Sequence, residues 1–508
     1  MSTENSIKII SRRSDLAVIQ ARMVGNAIKK KFPLLKIKYF TKKTQGDIDK
    51  KTPLSKMKSE GVFTEDIRNE LLNKNCDIAV HSWKDLPLDL GSKTLIAGTL
   101  NRDDSRDILF IKKNTINKLS KKKTFTVLSS SPRRCYNLKT FLKNYLPFKK
   151  EIKFKNIRGN IPTRFKKYFK NEGDILIVAK AAVDRFLLSK SKEAKKKSLI
   201  IKKIINKSKW MIVPLSQNPA APGQGGLAIE VLKKNFKIKK IIKTINHKET
   251  YKCIQNERKK LSHYGGGCHQ KIGSSYFATS FGIIICEKGE LDNGTKFWNQ
   301  SIIRNTKLSK KKIIKEKIFP KELKNYRWFD RVEINDSIKK INSLKNHCIL
   351  ISRKSSLPLK AKVQSSNVVW TSGMKTWKYL ANRKIWVNGS ADGIGEDLDP
   401  HISSLTNFPW VKLSHKKAPR NRVKNIISTY KLVARKIDKN IDENRHFFWM
   451  SSSAFKLAVE KFPKIIKADH GCGPGNTYKE INKMLKNKSK LTIYLSYENW
   501  KKEIINES

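Results

Sequence analysis

The sequence is poor in acidic residues and in long apolar runs. Its 508 residues hold 43 Asp and Glu against 109 Lys and Arg, a formal net charge of +66. No run reaches 18 apolar residues, and the most apolar stretches, such as 281–286, are strand-length, which argues against a membrane span. The first residues lack a basic segment followed by an apolar one, so we expect no secretory signal.

Cysteine is also scarce. Seven cysteines spread over the chain are an odd and dilute set that makes no disulfide framework, so we expect a reducing cytoplasm. Hydrophobic residues, at 38%, suffice for buried cores, and the length predicts several domains.

The excess of positive charge has three interpretations. It could bind nucleic acid, because Lys and Arg neutralise phosphate. It could reflect a lysine bias without a partner, and we favour this because lysines occur in short runs along the whole chain. It could also match a substrate rich in carboxylates, which arginines at fixed positions would support, since a guanidinium binds a carboxylate with two hydrogen bonds.

The first 230 residues alternate strand and helix patterns, which predicts sheets covered by helices on both faces. Ligands in such folds bind where the chain leaves the carboxyl ends of strands. The predicted strands and helices cover residues 7–11, 16–30, 36–41, 64–72, 76–82, 124–129, 132–142, 152–155, 161–169 and 174–179.

A second α/β region follows from about residue 348 and contains a weak internal repeat. Residues 368–380 and 385–398 form one copy, and residues 447–459 and 468–481 form the other. In each copy a strand, a helix, a short strand and a second helix are predicted. Two such halves indicate two lobes with a cleft between them.

HSWKDLP places Lys84 and Asp85 at the end of a predicted strand. A carboxylate in such a cleft can exchange protons and stabilise a developing cation. The alternative is a surface Lys–Asp pair before a turn.

Arginines recur at other strand-to-helix junctions, where hydroxyls, helix N–H groups and guanidinium groups can hold anions. Any one of them could be an ordinary surface arginine, but together they predict a cleft for several carboxylates or phosphates. The junction residues are Arg12, Ser14, Ser131, Arg133, Arg134, Arg158, Arg164 and Arg185.

YGGGCHQKIG contains Cys268 after three glycines, which favour a turn and could hold the thiol on an exposed loop. The alternatives are a buried cysteine and a zinc site with Cys253, His263 and His269, whose spacing fits no usual zinc pattern. The glycine-rich segment 218–230 lacks the spacing of a phosphate-binding loop. We therefore predict no metal and no nucleotide site.

These motifs together resemble the porphobilinogen deaminase (hydroxymethylbilane synthase) family. The matching segments are SRRSDLAVIQA, TQGD, EGVFTEDI, HSWKDLP, SSSPRR, IRGNIPTR, NPAAPGQGGLAIE and GGGCHQKIG. The resemblance implies two periplasmic-binding-protein-like α/β domains, domain 1 over 1–103 and 214–245 and domain 2 over 104–213. It also implies a small α+β domain over 246–305.

The resemblance further implies a dipyrromethane cofactor joined to Cys268 by a thioether, to which four porphobilinogen molecules are added with loss of ammonia. Asp85 would be catalytic, binding pyrrole N–H groups and stabilising the cationic azafulvene. Cofactor binding would fall to Lys84, Ser131, Arg133, Arg134 and Asp47. Substrate binding would fall to Arg12, Ser14, Gln20, Phe63, Arg158, Arg164, Arg185 and Gln224.

The sequence departs from the family pattern at a few positions. Glu60 stands where the family's active-site lid commonly has Lys, so lid behaviour is open, and residues 179–182 read AKAA instead of AAAG. Asp85, Cys268 and the arginines are all present, so we expect an active deaminase.

The C-terminal region, 346–508 after a linker over 306–345, has two strand ends of the TSG/SSS type, glycine-rich turns at Gly389 and at 473–475, and the segment STYKLV (428–433). With these features it resembles uroporphyrinogen-III synthase, a two-lobed α/β enzyme. The resemblance implies that Tyr430 assists loss of hydroxyl from hydroxymethylbilane and that Ser372, Ser452 and Thr477 line the cleft. A bifunctional protein is the hypothesis, and a structural or decayed C-terminal half is the alternative.

The expected partners follow from these activities. They are porphobilinogen as substrate and hydroxymethylbilane as product and second substrate, in a cytoplasmic monomer with no specific nucleic acid and no membrane. The rival class is a basic nucleic-acid-binding α/β protein.

Overall fold

The structure of the protein is a computed structural model. It describes residues 6–48, 61–117, 123–266, 270–305, 317–323, 327–420, 422–436, 440–486 and 490–506. Cys268, His269 and Glu60 lie outside the described residues. The chain divides into two compact units, the first made of 1–143, 149–278 and 284–299 and the second of 144–148, 279–283 and 300–508. None of the helices in the described ranges is both long and apolar enough to cross a membrane.

The strands and helices are given in chain order. The strands are β1 (Ser6–Arg12), β2 (Lys36–Lys42), β3 (Ile78–Ser82), β4 (Thr94–Gly98), β5 (Asp107–Lys112), β6 (Thr124–Leu128), β7 (Glu151–Lys155), β8 (Ile175–Ala179), β9 (Ser208–Val213), β10 (Leu227–Leu232), β11 (Gly273–Thr279), β12 (Gly282–Glu290), β13 (Lys296–Arg304), β14 (Ile318–Phe319), β15 (Phe329–Glu333), β16 (Cys348–Ile351), β17 (Val368–Thr371), β18 (Gly389–Ser390), β19 (Trp410–His415), β20 (Ile426–Ala434), β21 (His446–Trp449), β22 (Asp469–Cys472) and β23 (Leu491–Ile493). The α-helices are α1 (Asp15–Lys31), α2 (Gln45–Ile48), α3 (Glu65–Leu72), α4 (Lys113–Asn117), α5 (Pro132–Tyr145), α6 (Ile161–Phe169), α7 (Lys180–Leu188), α8 (Lys192–Asn206), α9 (Phe236–Ile245), α10 (Lys248–His263), α11 (Asp336–Ser343), α12 (Met374–Asn382), α13 (Ser452–Lys461), α14 (Asn476–Met484) and α15 (Tyr497–Asn506).

The first sheet has the strand order β2-β1-β3-β10-β4. Strands β1, β2 and β3 are parallel, whereas β10 runs antiparallel to β3 and β4. Alternate residues of β1 enter different cores: Ile9 packs with α1 and α9, and Ile10 packs with α3 on the other face. Burial on both faces explains why the neighbouring residues Ile9 and Ile10 of β1 are both apolar.

The second sheet repeats this arrangement in the order β7-β6-β8-β5-β9, with β6 parallel to β7 and β8 and β5 antiparallel to β8 and β9. The chain leaves the first sheet through residues 99–106 and returns through 214–226. In both sheets the carboxyl ends of the parallel strands carry the polar motifs of the sequence.

A third, smaller sheet has the order β11-β12-β13 and follows α10. The buried carboxylate of Glu257 in α10 joins this part to the first sheet. It accepts hydrogen bonds from both terminal nitrogens of Arg102, at 2.6 and 2.9 Å, from the backbone N–H of Gly223 at 2.8 Å and from that of Tyr276 at 2.8 Å.

The second unit contains two further sheets, β15-β20-β19-β16-β17-β18 and β14-β21-β22-β23. Neighbouring strands are parallel, except that β15 is antiparallel to β20. The predicted linker over 306–345 is therefore wrong for part of its length, because β14 and β15 are hydrogen-bonded strands of these sheets and α11 lies in the same range.

The predicted strands and helices of the first 230 residues are confirmed, with ends shifted by at most a few residues. The C-terminal repeat is confirmed except for the second helix of its first copy. Residues 391–398 form turns there, because Asp392, Gly393 and Gly395 have φ angles of +54°, +76° and +138°, which a right-handed helix cannot contain.

A buried ion cluster ties the two crossing segments to α5. Asp107, fully buried at the start of β5, accepts hydrogen bonds from Arg133 and Arg134 at 2.7 Å each. Asn218 and Gln224 of the returning segment donate to the same carboxylate, at 2.8 and 2.9 Å. Burial alone would raise the pKa of Asp107, but attraction to the two arginines outweighs it and holds the pKa well below its ordinary value.

We predict that Asp107→Asn strongly destabilises the first unit, by about 3 kcal/mol or more, because it leaves two buried guanidinium groups without their counter-charge. The measurement is urea unfolding followed by tryptophan fluorescence. Glu151→Gln is the matched control, because Glu151 is exposed and its pair with Lys153 spans 3.6 Å. Asp107→Asn with a midpoint equal to that of the control would contradict the prediction.

Candidate active site

The carboxyl ends of β3 and β6 bring two of the sequence motifs into one electrostatic environment. After β3 the chain makes a 3-10 turn over Trp83–Asp85, and after β6 it enters α5 at Pro132. Lys84 and Asp85 are half-buried at the first end. The charges of Arg133 and Arg134, at the second end, act on Lys84, so the two strand ends face a shared region.

Hydrogen bonds and close packing from other segments hold the turn that carries Asp85. The N–H of Trp83 donates to the carbonyl of Gly226 at 3.1 Å. The guanidinium of Arg258 donates to the carbonyls of Leu86, at 3.1 Å, and Pro87. Gly223 has a φ of +80°, and a Cβ there would lie 3.0 Å from the backbone nitrogen of Lys84, so the glycine-rich segment packs directly against the turn.

Cations crowd this region. Burial lowers the pKa of Lys84; Asp85 opposes the shift and Arg134 adds to it. Burial also lowers the pKa of Arg164 to about 10, with further lowering by Arg134 and Arg158 and an opposing effect of Asp85. Mutual repulsion of this kind makes the binding of an anion favourable, because an added carboxylate relieves it.

The two arginines of α5 differ in how many of their hydrogen-bond donors are already used within the protein. Arg133 is 3% exposed and donates to Asn218 at 2.9 Å and to the carbonyl of Pro219 at 2.6 Å, besides its bond to Asp107. Arg134 donates to Asp107 through one terminal nitrogen. The Nε of each arginine is buried and has no hydrogen-bond partner in the described part of the chain. Ser131 accepts a hydrogen bond from the N–H of Arg134 at 3.4 Å.

A second set of predicted site residues lies beside the end of β1. The guanidinium carbon of Arg12 lies 4.1 Å from the centroid of the Phe63 ring, a cation–π contact. Gly46 in α2 lies against the same ring, since a Cβ there would approach it to 2.2 Å, and Asp47 is the next residue of that short helix. The predicted lid residue Phe63 is thus adjacent to Arg12.

Other predicted site residues have local roles. Ser14 caps α1 by accepting a hydrogen bond from the N–H of Ala17 at 3.4 Å. Gln20 is 2% exposed on α1, and its Nε2 has no hydrogen-bond partner among the described residues.

Two predicted substrate-binding residues already form hydrogen bonds to other groups of the protein. Arg185 is buried and donates to Asp103 at 2.7 Å and to the carbonyl of Gly225 at 2.8 Å. Gln224 is buried and donates to Asp107 and to the carbonyl of Ser105, the latter at 2.7 Å. The structure places both among the contacts of the crossing segments.

Sequence reasoning missed Asp107, Arg258 and Glu257. One signal could have found Asp107, because it opens a strand whose next four residues are apolar and fully buried, and a charge there requires buried partners. Arg258 and Glu257 lie on a strongly charged helix, where nothing in the sequence distinguishes them from solvated residues.

The residues that flank the predicted attachment site lie near the Asp85 turn, whereas Cys268 itself is outside the described residues. Gly266 has a φ of +71°, and a Cβ there would lie 3.0 Å from the side chain of Leu88. On the other side, Gln270 donates to the carbonyl of Tyr264 at 2.6 Å.

In the second unit, the predicted cleft residues lie at the ends of parallel strands. Ser372 follows β17 and donates to the carbonyl of Ser352 at 2.5 Å, Ser452 begins α13, and Thr477 is the second residue of α14. The backbones of Gly395 and Gly475 approach closely, because a Cβ on Gly475 would lie 2.8 Å from the Cα of Gly395.

Tyr430 is placed differently from those three residues. It lies within β20, is 3% exposed, and has the guanidinium carbon of Arg331 at 6.0 Å from its ring centroid. The neighbouring ring of His415 is 6.0 Å away, and burial together with nearby cations lowers the pKa of His415 to about 4.

Comparison with known proteins identifies the first half of the chain. Residues 7–240 match the family model for the porphobilinogen deaminase, dipyromethane cofactor binding domain. The chain is 35% identical over 264 residues to porphobilinogen deaminase from Chlorobium phaeovibrioides, covering 52% of this chain and 76% of that protein. It is 36% identical over 267 residues to a protein named probable porphobilinogen deaminase from Picrophilus torridus, covering 53% and 84%.

Among solved structures, the chain is similar to a probable amino-acid ABC transporter extracellular-binding protein, ytmK, from Bacillus subtilis. The identity is 12% and the TM-score 0.25, over 51% of this chain and 95% of that one, and a likeness this low carries no argument. The identification rests on the family model and on the two sequence relatives. On those matches, this chain belongs to the porphobilinogen deaminase family.

Proposed function

We propose that the first 305 residues polymerise four porphobilinogen molecules on a dipyrromethane primer bound through Cys268 and release hydroxymethylbilane. The division into domain 1 (1–103 and 214–245), domain 2 (104–213) and a cofactor-attachment domain (246–305) is part of this proposal. The repeated sheet pattern, with crossings at 99–106 and 214–226, supports it.

The observation that carries the proposal is that Lys84 and Arg164 share an electrostatic environment in which Asp85 and Arg134 act on both of them, and Arg158 acts on Arg164 as well. Acetate and propionate side chains of pyrroles are carboxylates, and they fit a region where burial and neighbouring cations lower the pKa values of Lys84 and Arg164. The side chain of Arg134 bonds Asp107 through one terminal nitrogen, whereas Arg133 bonds Asp107, Asn218 and Pro219, so Arg134 retains more donors for such a group. The dipyrromethane, when bound, supplies the nucleophilic pyrrole carbon at which the chain of pyrroles starts.

Asp85 is the proposed catalytic residue. Its carboxylate accepts hydrogen bonds from pyrrole N–H groups and stabilises the positive charge that develops as the amino group of porphobilinogen leaves as ammonia. Lys84 and Arg164 lie close enough to this carboxylate for its charge to act on both of them. The backbone of the turn is fixed by Gly226 and Arg258, so Asp85 is held in position.

The remaining proposed binding residues divide into two sets. Arg12, Phe63, Arg158 and Arg164 stay as substrate-binding residues, with Asp47, Ser14 and Gln20 nearby in the chain. Arg133, Arg185 and Gln224 act through the framework, because their donors already bind Asp107, Asp103 and backbone carbonyls.

We predict that Asp85→Asn lowers deaminase turnover by about 10²- to 10⁴-fold, because it removes the charge that stabilises the developing cation. Asp85→Glu keeps the charge and should retain more activity. The measurement is formation of uroporphyrin from porphobilinogen after oxidation. Asp89→Asn is the control, an exposed carboxylate four residues further along. Full turnover by Asp85→Asn would overturn the proposed role.

We further propose that residues 346–508 are a uroporphyrinogen-III synthase that closes hydroxymethylbilane with inversion of its last ring. The support is the pair of mainly parallel sheets whose strand ends carry Ser372, Ser452 and Thr477, with Gly395 and Gly475 in close approach. The alternative is a structural C-terminal half. Capture of hydroxymethylbilane is useful because it otherwise closes spontaneously to the other isomer.

We predict that the full chain converts porphobilinogen mainly to the type III uroporphyrin isomer and that Tyr430→Phe shifts the product towards type I without slowing porphobilinogen consumption. Tyr430 is buried, so the phenyl ring keeps its packing and the hydroxyl alone is lost. Tyr379→Phe on α12 is the control. Type I alone from the unaltered chain would show that the C-terminal half is silent.

A further inference from the structure

A groove lies behind the Asp85 turn, on the side of the first sheet that ends in β4. Its volume is about 880 Å³, within the usual range for small-molecule sites. β4 is the edge strand of the sheet, and its residues 94–97 line the groove together with Leu88, Leu90 and Tyr251. The groove therefore has a largely apolar floor.

Basic side chains and two amides, Gln255 and Asn256, also line the groove. Lys239 and Lys243 come from one face of α9, and Arg258 and Lys259 come from α10. No Asp or Glu is among the described residues that line the groove. An apolar floor with cations from two helices complements a molecule that has an apolar body and a negative group.

The groove shares two residues with the support of the catalytic turn. Trp83 lines the groove, is 3% exposed, and directly precedes Lys84 and Asp85 in the chain. Arg258 lines it as well and donates to the carbonyls of Leu86 and Pro87. An anion that attracts the guanidinium of Arg258 competes with those carbonyls for the same N–H groups.

We propose that this groove binds an amphipathic organic anion and that its occupancy lowers deaminase turnover by loosening the turn that carries Asp85. The effect on turnover rests on the deaminase function proposed above, whereas binding does not. The groove and the proposed active site have different linings, because none of the described residues that line the groove comes from α5 or α6, which carry Arg134 and Arg164, and neither Lys84 nor Asp85 is among them.

The probe for the test is 8-anilinonaphthalene-1-sulfonate, which has an aromatic body and one sulfonate. Its binding to the full chain is measured by the fluorescence of the probe. We expect Lys243→Glu to weaken binding at least about fivefold. Lys240→Glu on the same helix should change it less than about twofold, because Lys240 is exposed and does not line the groove. N-phenyl-1-naphthylamine, which lacks the sulfonate, should bind both variants equally.

Turnover of porphobilinogen is measured in parallel. Saturating probe should slow the unaltered chain and Lys240→Glu by about fivefold or more, and should leave Lys243→Glu unaffected at the same concentration. Equal weakening of probe binding by both lysine variants would overturn the site, since it would show a diffuse charge effect. Site-specific binding without any change in turnover would overturn the link to Asp85, and absence of turnover in the unaltered chain would count against the deaminase proposal alone.

Discussion

The buried carboxylate of Asp107 is the interaction on which the first unit most depends. It binds Arg133 and Arg134 from α5 and Asn218 and Gln224 from the returning crossing segment, so one group joins three parts of the chain. Four donors and two positive charges compensate its burial, which is the condition for keeping an ionised group in a protein interior. Because Arg134 reaches the active-site region from this anchor, the same carboxylate also sets where that guanidinium stands.

In the active-site region, by contrast, the cations outnumber the carboxylates that face them. The charge of Arg134 helps to lower the pKa of both Lys84 and Arg164, Arg158 adds to the effect on Arg164, and the carboxylate of Asp85 opposes it at both groups. The net charge of +66 said little about this, because most of it is lysine spread over the chain. A few arginines at strand ends, fixed by glycine-rich turns and by a buried carboxylate, put positive charge at defined positions in the active-site region.

The sequence predicted the alternation of strands and helices, the two-lobed C-terminal repeat and the motifs of the site, because hydrophobic period and strand-end chemistry are local properties. It could not separate Arg134 from Arg133, or Arg158 from Arg185, since these differ only in long-range partners such as Asp107 and Asp103. The turns at 391–398 replaced an expected helix because three residues there have positive φ. The strands β14 and β15 were missed because each is short and is stabilised by pairing with distant strands.

The central claim is that the cationic region around Asp85 serves a carboxylate-rich primer held by Cys268. The most direct measurement is the mass of the intact purified protein, with Cys268→Ser beside it. The account predicts an adduct of about 420 Da on the unaltered chain, as expected for a dipyrromethane on a nucleophilic thiol, and none on Cys268→Ser. An unaltered chain without the adduct, or an adduct that persists in Cys268→Ser, would contradict it.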